Sequence, residues 1–239
     1  MSCTILGLGT ALPQHAIAQG DAADLARTFC CQHDKRLRLL PALYRRTGVR
    51  RRSSVLLEGS NGTHVGHSFY RPSTGSSDYG PTTRERMDRY ARAAPALATC
   101  AARRALKESG CRPGEMTHLI TVSCSGFSAP GVDVKLIKTL GLRPVVERTH
   151  IGFMGCHGAI NGLRVACALT GADPAAHVLM CAVELCSLHM RYGWDPDRVV
   201  SNALFADGAA AVVAAASLGG AGNGWNVKAT GSCIIPDSI

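Results

Sequence analysis

Residues 148–166, RTHIGFMGCHGAINGLRVA, set one cysteine between two glycines, after a β-like run and before a helix-like one. A cysteine so placed can do acyl-transfer chemistry. The thiolate is the nucleophile, and a free thiol with a pKa of about 8.5 is only about 3% ionised at neutral pH. A helix N-terminus or a nearby cation brings that pKa to roughly 3.5–7.5. A helix starting after the turn would aim its first peptide N–H groups at the Cys156 sulfur. They would offer partial positive charge to a thiolate and donors to a developing oxyanion. Gly155 and Gly158 permit the sharp turn and the close backbone approach. A buried structural thiol is the competing reading, and the turn alone leaves both open. His157 is adjacent, but neighbours at i and i+1 on a helix point in different directions. It is expected to shape the turn rather than to take the proton.

The rest of the composition narrows the setting. The chain has 239 residues, 46% hydrophobic and only 5% aromatic, which suits a close-packed α/β protein better than an aromatic-rich sandwich. Its eleven cysteines form no C-x-x-C pair. They read as reduced, mostly buried thiols, with no zinc site; Cys30 and Cys31 are adjacent and poorly placed to share a metal. No stretch reaches about 18 uninterrupted apolar residues, and the start lacks a basic leader, so neither a membrane span nor a signal peptide is expected. A cytoplasmic location is the default. The net charge of +9 is concentrated in HDKRLRLLPALYRRTGVRRR, residues 33–52. No nucleic-acid motif accompanies it and stacking aromatics are few, so nucleic acid is not the expected partner. An anionic small molecule, or a solvated basic face, accounts for it.

The elements that must position Cys156 follow from hydrophobic periodicity. CTILGLGTALP reads as a buried strand and DAADLARTFCCQ as a helix with apolar spacing at Leu25, Phe29 and Cys30. A second helix is expected over much of 34–46. Residues 53–83, rich in Ser, Gly, Thr and Pro, read as a long solvated loop rather than a substrate lid. A long helix is predicted over Thr83–Ser109, with Pro95 as a bend or break and Gly110 as its stop. Then come a strand in THLITVSCSG, a helix in GVDVKLIKTLGL, a strand in PVVERTHIGF and a helix over GAINGLRVACALTG closed by Gly171. Strands follow in AHVLMCAVEL, in the run entered through NALFADG, and in WNVKATGSCIIP. The alternation predicts a layered α/β fold, with a mixed, mostly parallel sheet covered by helices.

Four stretches in order carry a family resemblance: SCSGFSAPGVDVKLIKTLGLRP, GFMGCHGAINGLRVA, VLMCAVELCSLHMRYG and NALFADGAAAVV. Together they resemble the N-terminal half of chalcone/stilbene synthase-like enzymes, the type III polyketide synthases. The resemblance implies a thiolase-like fold of two similar halves, usually a homodimer. Residues 1–239 would be the N-terminal domain and the C-terminal half would be absent. It implies that Cys156 carries an acyl chain as a thioester, loaded from an acyl-CoA starter. Malonyl-CoA then decarboxylates and its enolate condenses with that thioester in a Claisen reaction. No metal, resident cofactor or acyl carrier protein is implied, the CoA thioesters being substrates. Phe205 matches the aromatic gate between CoA tunnel and catalytic cavity. Cys124, Cys186 and His189 fall where the family shapes its starter pocket. Ala129 stands where plant enzymes place a methionine reaching into the neighbouring subunit. Arg46 matches a CoA contact, whereas Leu39 and Ala42 replace basic residues of other members.

The same resemblance places the family's catalytic His and Asn in the C-terminal half, and none of the nine histidines here falls in that motif. Extension by this chain alone is therefore expected to fail even if Cys156 is acylated. Two readings stay open: the cysteine-bearing portion of a polyketide-forming acyltransferase, or a non-catalytic thiolase-like half that binds a CoA ester or a partner subunit. A β-ketoacyl synthase of the fatty-acid type is a further enzyme alternative.

Overall fold

The computed structural model describes residues 3–29, 35–60, 65–217 and 224–236. In chain order the elements are β1 (Cys3–Ala11), β2 (Ala16–Ala18), α1 (Gln19–Thr28), α2 (Leu40–Arg46), β3 (Arg51–Ser53), β4 (Leu57–Ser60), β5 (Val65–His67) and α3 (Thr83–Ser109). They continue with β6 (His118–Ser123), α4 (Val132–Leu140), β7 (Glu147–Gly152), α5 (Gly158–Ala172), β8 (His177–Leu185), α6 (Pro196–Leu204), β9 (Asp207–Ala216) and β10 (Trp225–Val227).

One six-stranded sheet, ordered β10-β1-β9-β8-β6-β7, organises the chain. β6 pairs in parallel with both β7 and β8, while β9 runs antiparallel to β8 and to β1, and β10 antiparallel to β1. Four strands therefore point the same way, and β9 and β10 point against them. Both faces are covered, which is why the central strands are almost wholly apolar. Leu119, Leu179, Cys181, Val183 and Val213 face the α3 side. Ile120, Val122, Val178, Met180, Val212 and Ala214 face α5. This is the strand period of two with each face buried against a different helix.

The helices fit because their inner faces are small. α3 begins with a capping box between Thr82 and Glu85 and ends at Gly110 in the left-handed conformation, φ 71°. It buries Tyr90, Ala94, Ala98, Ala101, Ala102 and Ala105, and it continues through Pro95. Gly9 on β1 meets this alanine face so closely that a Cβ there would lie 2.2 Å from the Ala101 carbonyl oxygen. On the opposite face α5 buries Gly158, Gly162, Ala166 and Thr170. A third cluster joins α1, α2 and α6 through Ile17, Ala22, Leu40, Tyr44, Val199 and Ala203.

Several expectations need correction. The segment before Arg46 is a 3-10 helix, Lys35–Leu39, followed by the short α2. Residues 53–83 are not a plain solvated loop: β4 and β5 form a hairpin, and Leu56 and Tyr70 are buried in the α3-side core. α5 runs through Gly171 to a cap at Asp173. The last strand covers only Trp225–Val227. Cys30 and Cys31 lie outside the described residues. Among the described residues no helix is long and apolar enough to cross a membrane.

Candidate active site

β6, β7 and β8 are parallel neighbours, so the loops leaving their carboxyl ends meet at one edge of the sheet. Ligands of open α/β sheets bind outside those ends. The loop after β7 turns through Phe153 (φ 57°) and Gly155 (φ 58°). Left-handed backbone at a bulky residue is a strained state, costing of order 1–3 kcal/mol. A 3-10 turn, Gly155–His157, then runs directly into the 15-residue α5. Cys156 therefore stands at the N-terminal end of a helix seated on the sheet, with its side chain exposed. Gly162 holds the seat: a Cβ there would come 2.5 Å from the Met180 sulfur.

The sulfur borders a cavity of ≈ 560 Å³. Cys124 and Ser125 line it from the loop after β6, and Glu184, Cys186 and His189 from the end of β8. Ser201, Asn202 and Phe205 come from α6 and its C-terminus. Glu184 fixes the loop after β6: it accepts the backbone N–H of Cys124 at 2.8 Å, that of Ser125 at 2.8 Å and the Ser125 hydroxyl at 2.5 Å. Ser125 Oγ in turn accepts the Leu185 N–H at 2.7 Å, and the His189 Nε2–H donates to the Ser125 carbonyl at 2.6 Å. With Nε2 so engaged, the Nδ1 of a neutral His189 is the ring acceptor. The Cys124 thiol points to the Gly155 carbonyl at 3.7 Å. Burial, helped by the Glu184 and Asp207 carboxylates, pushes the Cys186 thiol up to about 12, so Cys186 is a neutral wall group.

Beneath this cavity Asp207 accepts the Ser187 N–H and hydroxyl and the Val55 N–H at 2.6–2.8 Å. Burial raises its pKa above the usual carboxylate range, against the lowering effect of those hydrogen bonds.

The chain matches the family described as chalcone and stilbene synthases, N-terminal domain, over residues 2–217. It belongs to the chalcone and stilbene synthase family. It is 33% identical over 213 residues to an α-pyrone synthesis polyketide synthase-like protein of Mycobacterium tuberculosis, covering 89% of this chain and 51% of that one. To type III polyketide synthase 10 of Oryza sativa it is 35% identical over 217 residues, 89% of this chain and 51% of the relative. The crystal structure of PKS-I from the brown alga Ectocarpus siliculosus superimposes with a TM-score of 0.77 at 34% identity, over 90% of this chain and 56% of that one. The fold is accordingly thiolase-like, and the chain spans about half the length of the curated relatives it matches.

Among the positions that the family resemblance singled out, Cys156, Cys124, Cys186, His189 and Phe205 come together around one cavity. Ala129 and Arg46 do not line it. Ala129 is exposed, ahead of Pro130, and Arg46 is exposed at the end of α2, the helix that packs beside α6. His157 also stays out of the cavity, half-buried, its Nε2 without a partner among the described residues. Sequence reasoning missed Glu184, Arg52 and the whole of α6. A lone carboxylate in the apolar run VLMCAVEL was a signal, because it must find donors inside. So was Asp195-Pro196, an N-cap followed by proline at the first helical position.

Proposed function

We propose that this chain is the thioester-forming portion of a type III polyketide synthase. The Cys156 thiolate attacks the carbonyl of an acyl-CoA. The tetrahedral oxyanion collapses, CoA leaves as its thiolate and takes a proton from solvent, and the acyl group stays on sulfur. Peptide N–H groups at the start of α5, which follows Cys156 directly, stabilise the developing charge. In the whole enzyme, malonyl-CoA loses CO₂ and the resulting enolate carbon attacks the Cys156 thioester, releasing the cysteine and forming a β-ketoacyl-CoA. Phe205 separates the CoA side from the acyl side, Cys124, Cys186 and His189 shape the acyl pocket, and Arg46 with the exposed arginines around it attracts the CoA phosphates. The whole protein acts as a homodimer. The observation that carries the reading is an exposed cysteine at a helix start, opening on the cavity that Phe205 lines.

Intact-mass spectrometry after incubation with a panel of acyl-CoAs tests it. One acyl group is expected per chain, located on Cys156 by peptide mapping, lost in Cys156→Ala and kept in Cys124→Ala. A folded protein that takes no acyl group from any of them would overturn the loading reading and favour a non-catalytic thioester-binding half.

A further inference from the structure

Among the arginines that close the basic run, Arg45, Arg46, Arg50 and Arg51 are exposed, and Arg52 is not. It is only 5% exposed, in β3. Among the described residues its guanidinium forms no salt bridge: it lies over the Tyr44 ring, 5.5 Å from the centroid, with the Asp207 charge acting on it from a distance. Nε donates to the Gln19 Oε1 at 2.9 Å. One terminal nitrogen donates to the carbonyl oxygens of Asn202 and Phe205, the latter at 3.1 Å. Gln19 turns its own amide to the Ala203 carbonyl at 2.8 Å and to the Thr47 hydroxyl at 3.0 Å. A helix leaves its last four carbonyls without internal partners. At the end of α6 the Arg52–Gln19 pair supplies donors for residues 202, 203 and 205, and places a cation at the negative end of the helix.

We propose that Arg52 is a positioning residue: it sets where the Phe205 ring stands in the Cys156 cavity by fixing the C-terminus of α6 from behind. Phe205 is 49% exposed, so surrounding side chains do not enclose it; the direction of its ring follows from the backbone that Arg52 holds. The same clamp reaches the opposite rim. Asn202, whose carbonyl Arg52 binds, pins the Arg191 backbone with both ends of its amide, at 3.1 and 2.9 Å. The planar fork reaches Gln19 from Nε and the two carbonyls from a terminal nitrogen; an ammonium gathers its three donors on one atom and cannot span the same positions. A buried charge is a costly choice for mere packing, and its terminal-nitrogen hydrogen bonds go to the segment that walls the cavity.

The kinetic readout rests on the acyl-loading reading; the structural one does not. The rate of Cys156 acylation by an acyl-CoA is compared with its alkylation by iodoacetamide in wild type, Arg52→Lys, Arg52→Gln, Phe205→Ala and the Arg52→Gln/Phe205→Ala double variant. Arg52→Gln is expected to change acylation by about tenfold relative to alkylation. Arg52→Lys should fall between it and wild type, and the effect should vanish once the Phe205 ring is gone. Equal fold-changes with and without the ring, or no change in a folded Arg52→Gln, would overturn the proposal. Should wild type itself take no acyl group, the loading reading falls alone. Hydrogen exchange then decides: amides 203–206 exchange faster in Arg52→Gln, or in Arg52→Lys if the first variant does not fold, with α3 unchanged. Unaltered exchange at 203–206 would sink the inference.

Discussion

Three thiols, Cys124, Cys156 and Cys186, border one cavity, and their surroundings differ enough to give them different chemistry. Cys186 is held up to about 12, first by burial and then by Glu184 and Asp207. At pH 8 Cys186 then stays a neutral thiol, whereas the thiolate is the reactive form. Iodoacetamide at pH 8 should therefore label exposed Cys156 in the native protein and leave Cys186 unlabelled until denaturant is added. Peptide mass mapping reads this, and native Cys186 labelling as fast as Cys156 would contradict the assignment. At this scale the sequence displays Cys156 clearly, because its flanking glycines and the adjoining strand and helix are all local. It hides Arg52 and Glu184. Arg52 looks like its charged neighbours, and its partner carbonyl at Asn202 lies 150 residues away. Glu184 stands out in an apolar run, yet the donors that satisfy it are 60 residues distant at Cys124.

Elements that are long or fully buried were legible for a physical reason. α3 is a 27-residue helix with an apolar stripe and a capping box, and β6 and β8 are dominated by buried apolar residues. α6 was not, being nine residues long. It divides its sides between two tasks: Val199 and Ala203 pack on α1 and α2, while Ser201, Asn202 and Phe205 line the cavity. At that length its apolar face shows only Val199 and Ala203 as buried positions, too few repeats for a periodic signal. Its start is marked instead by Asp195, whose carboxylate accepts the N–H groups of Asp197 and Arg198, both at 3.1 Å. Asp195→Ala should cost about 1 kcal/mol of unfolding free energy in urea, and Asp195→Asn much less. Equal losses in the two variants would show that the cap is not what the carboxylate provides. The hairpin of β4 and β5 was missed because Ser, Gly and Thr dominate its surroundings; only the core positions of Leu56 and Tyr70 reveal that the segment is packed.

For the molecule as a whole, the sequence conveys that strands alternate with helices but not that β9 enters the sheet between β1 and β8 against their direction. Strand order is decided by which long-range faces match, and here the small residues of α3, β1 and β9 let those layers approach. Asp207, the first residue of β9, ties three parts together below the cavity: the sheet, the turn after β8 through Ser187 and the chain after β3 through Val55. Its charge also favours the guanidinium of Arg52. Because burial raises its pKa in the folded state, the folded protein binds this proton more tightly than the unfolded chain does. Stability from this group is then greatest below the ordinary carboxylate pKa and declines as pH rises through the raised folded value. Other carboxylates have the opposite sign, Glu85 and Glu115 being held low by hydrogen bonds to Thr82 and Arg112. The comparison that isolates Asp207 is wild type minus Asp207→Asn, followed by urea unfolding from about pH 3 to about pH 7. That difference should fall as pH increases; a difference that grows would mean that the hydrogen bonds from Ser187 and Val55 outweigh desolvation, and that the junction is held by an anion welcome in its site.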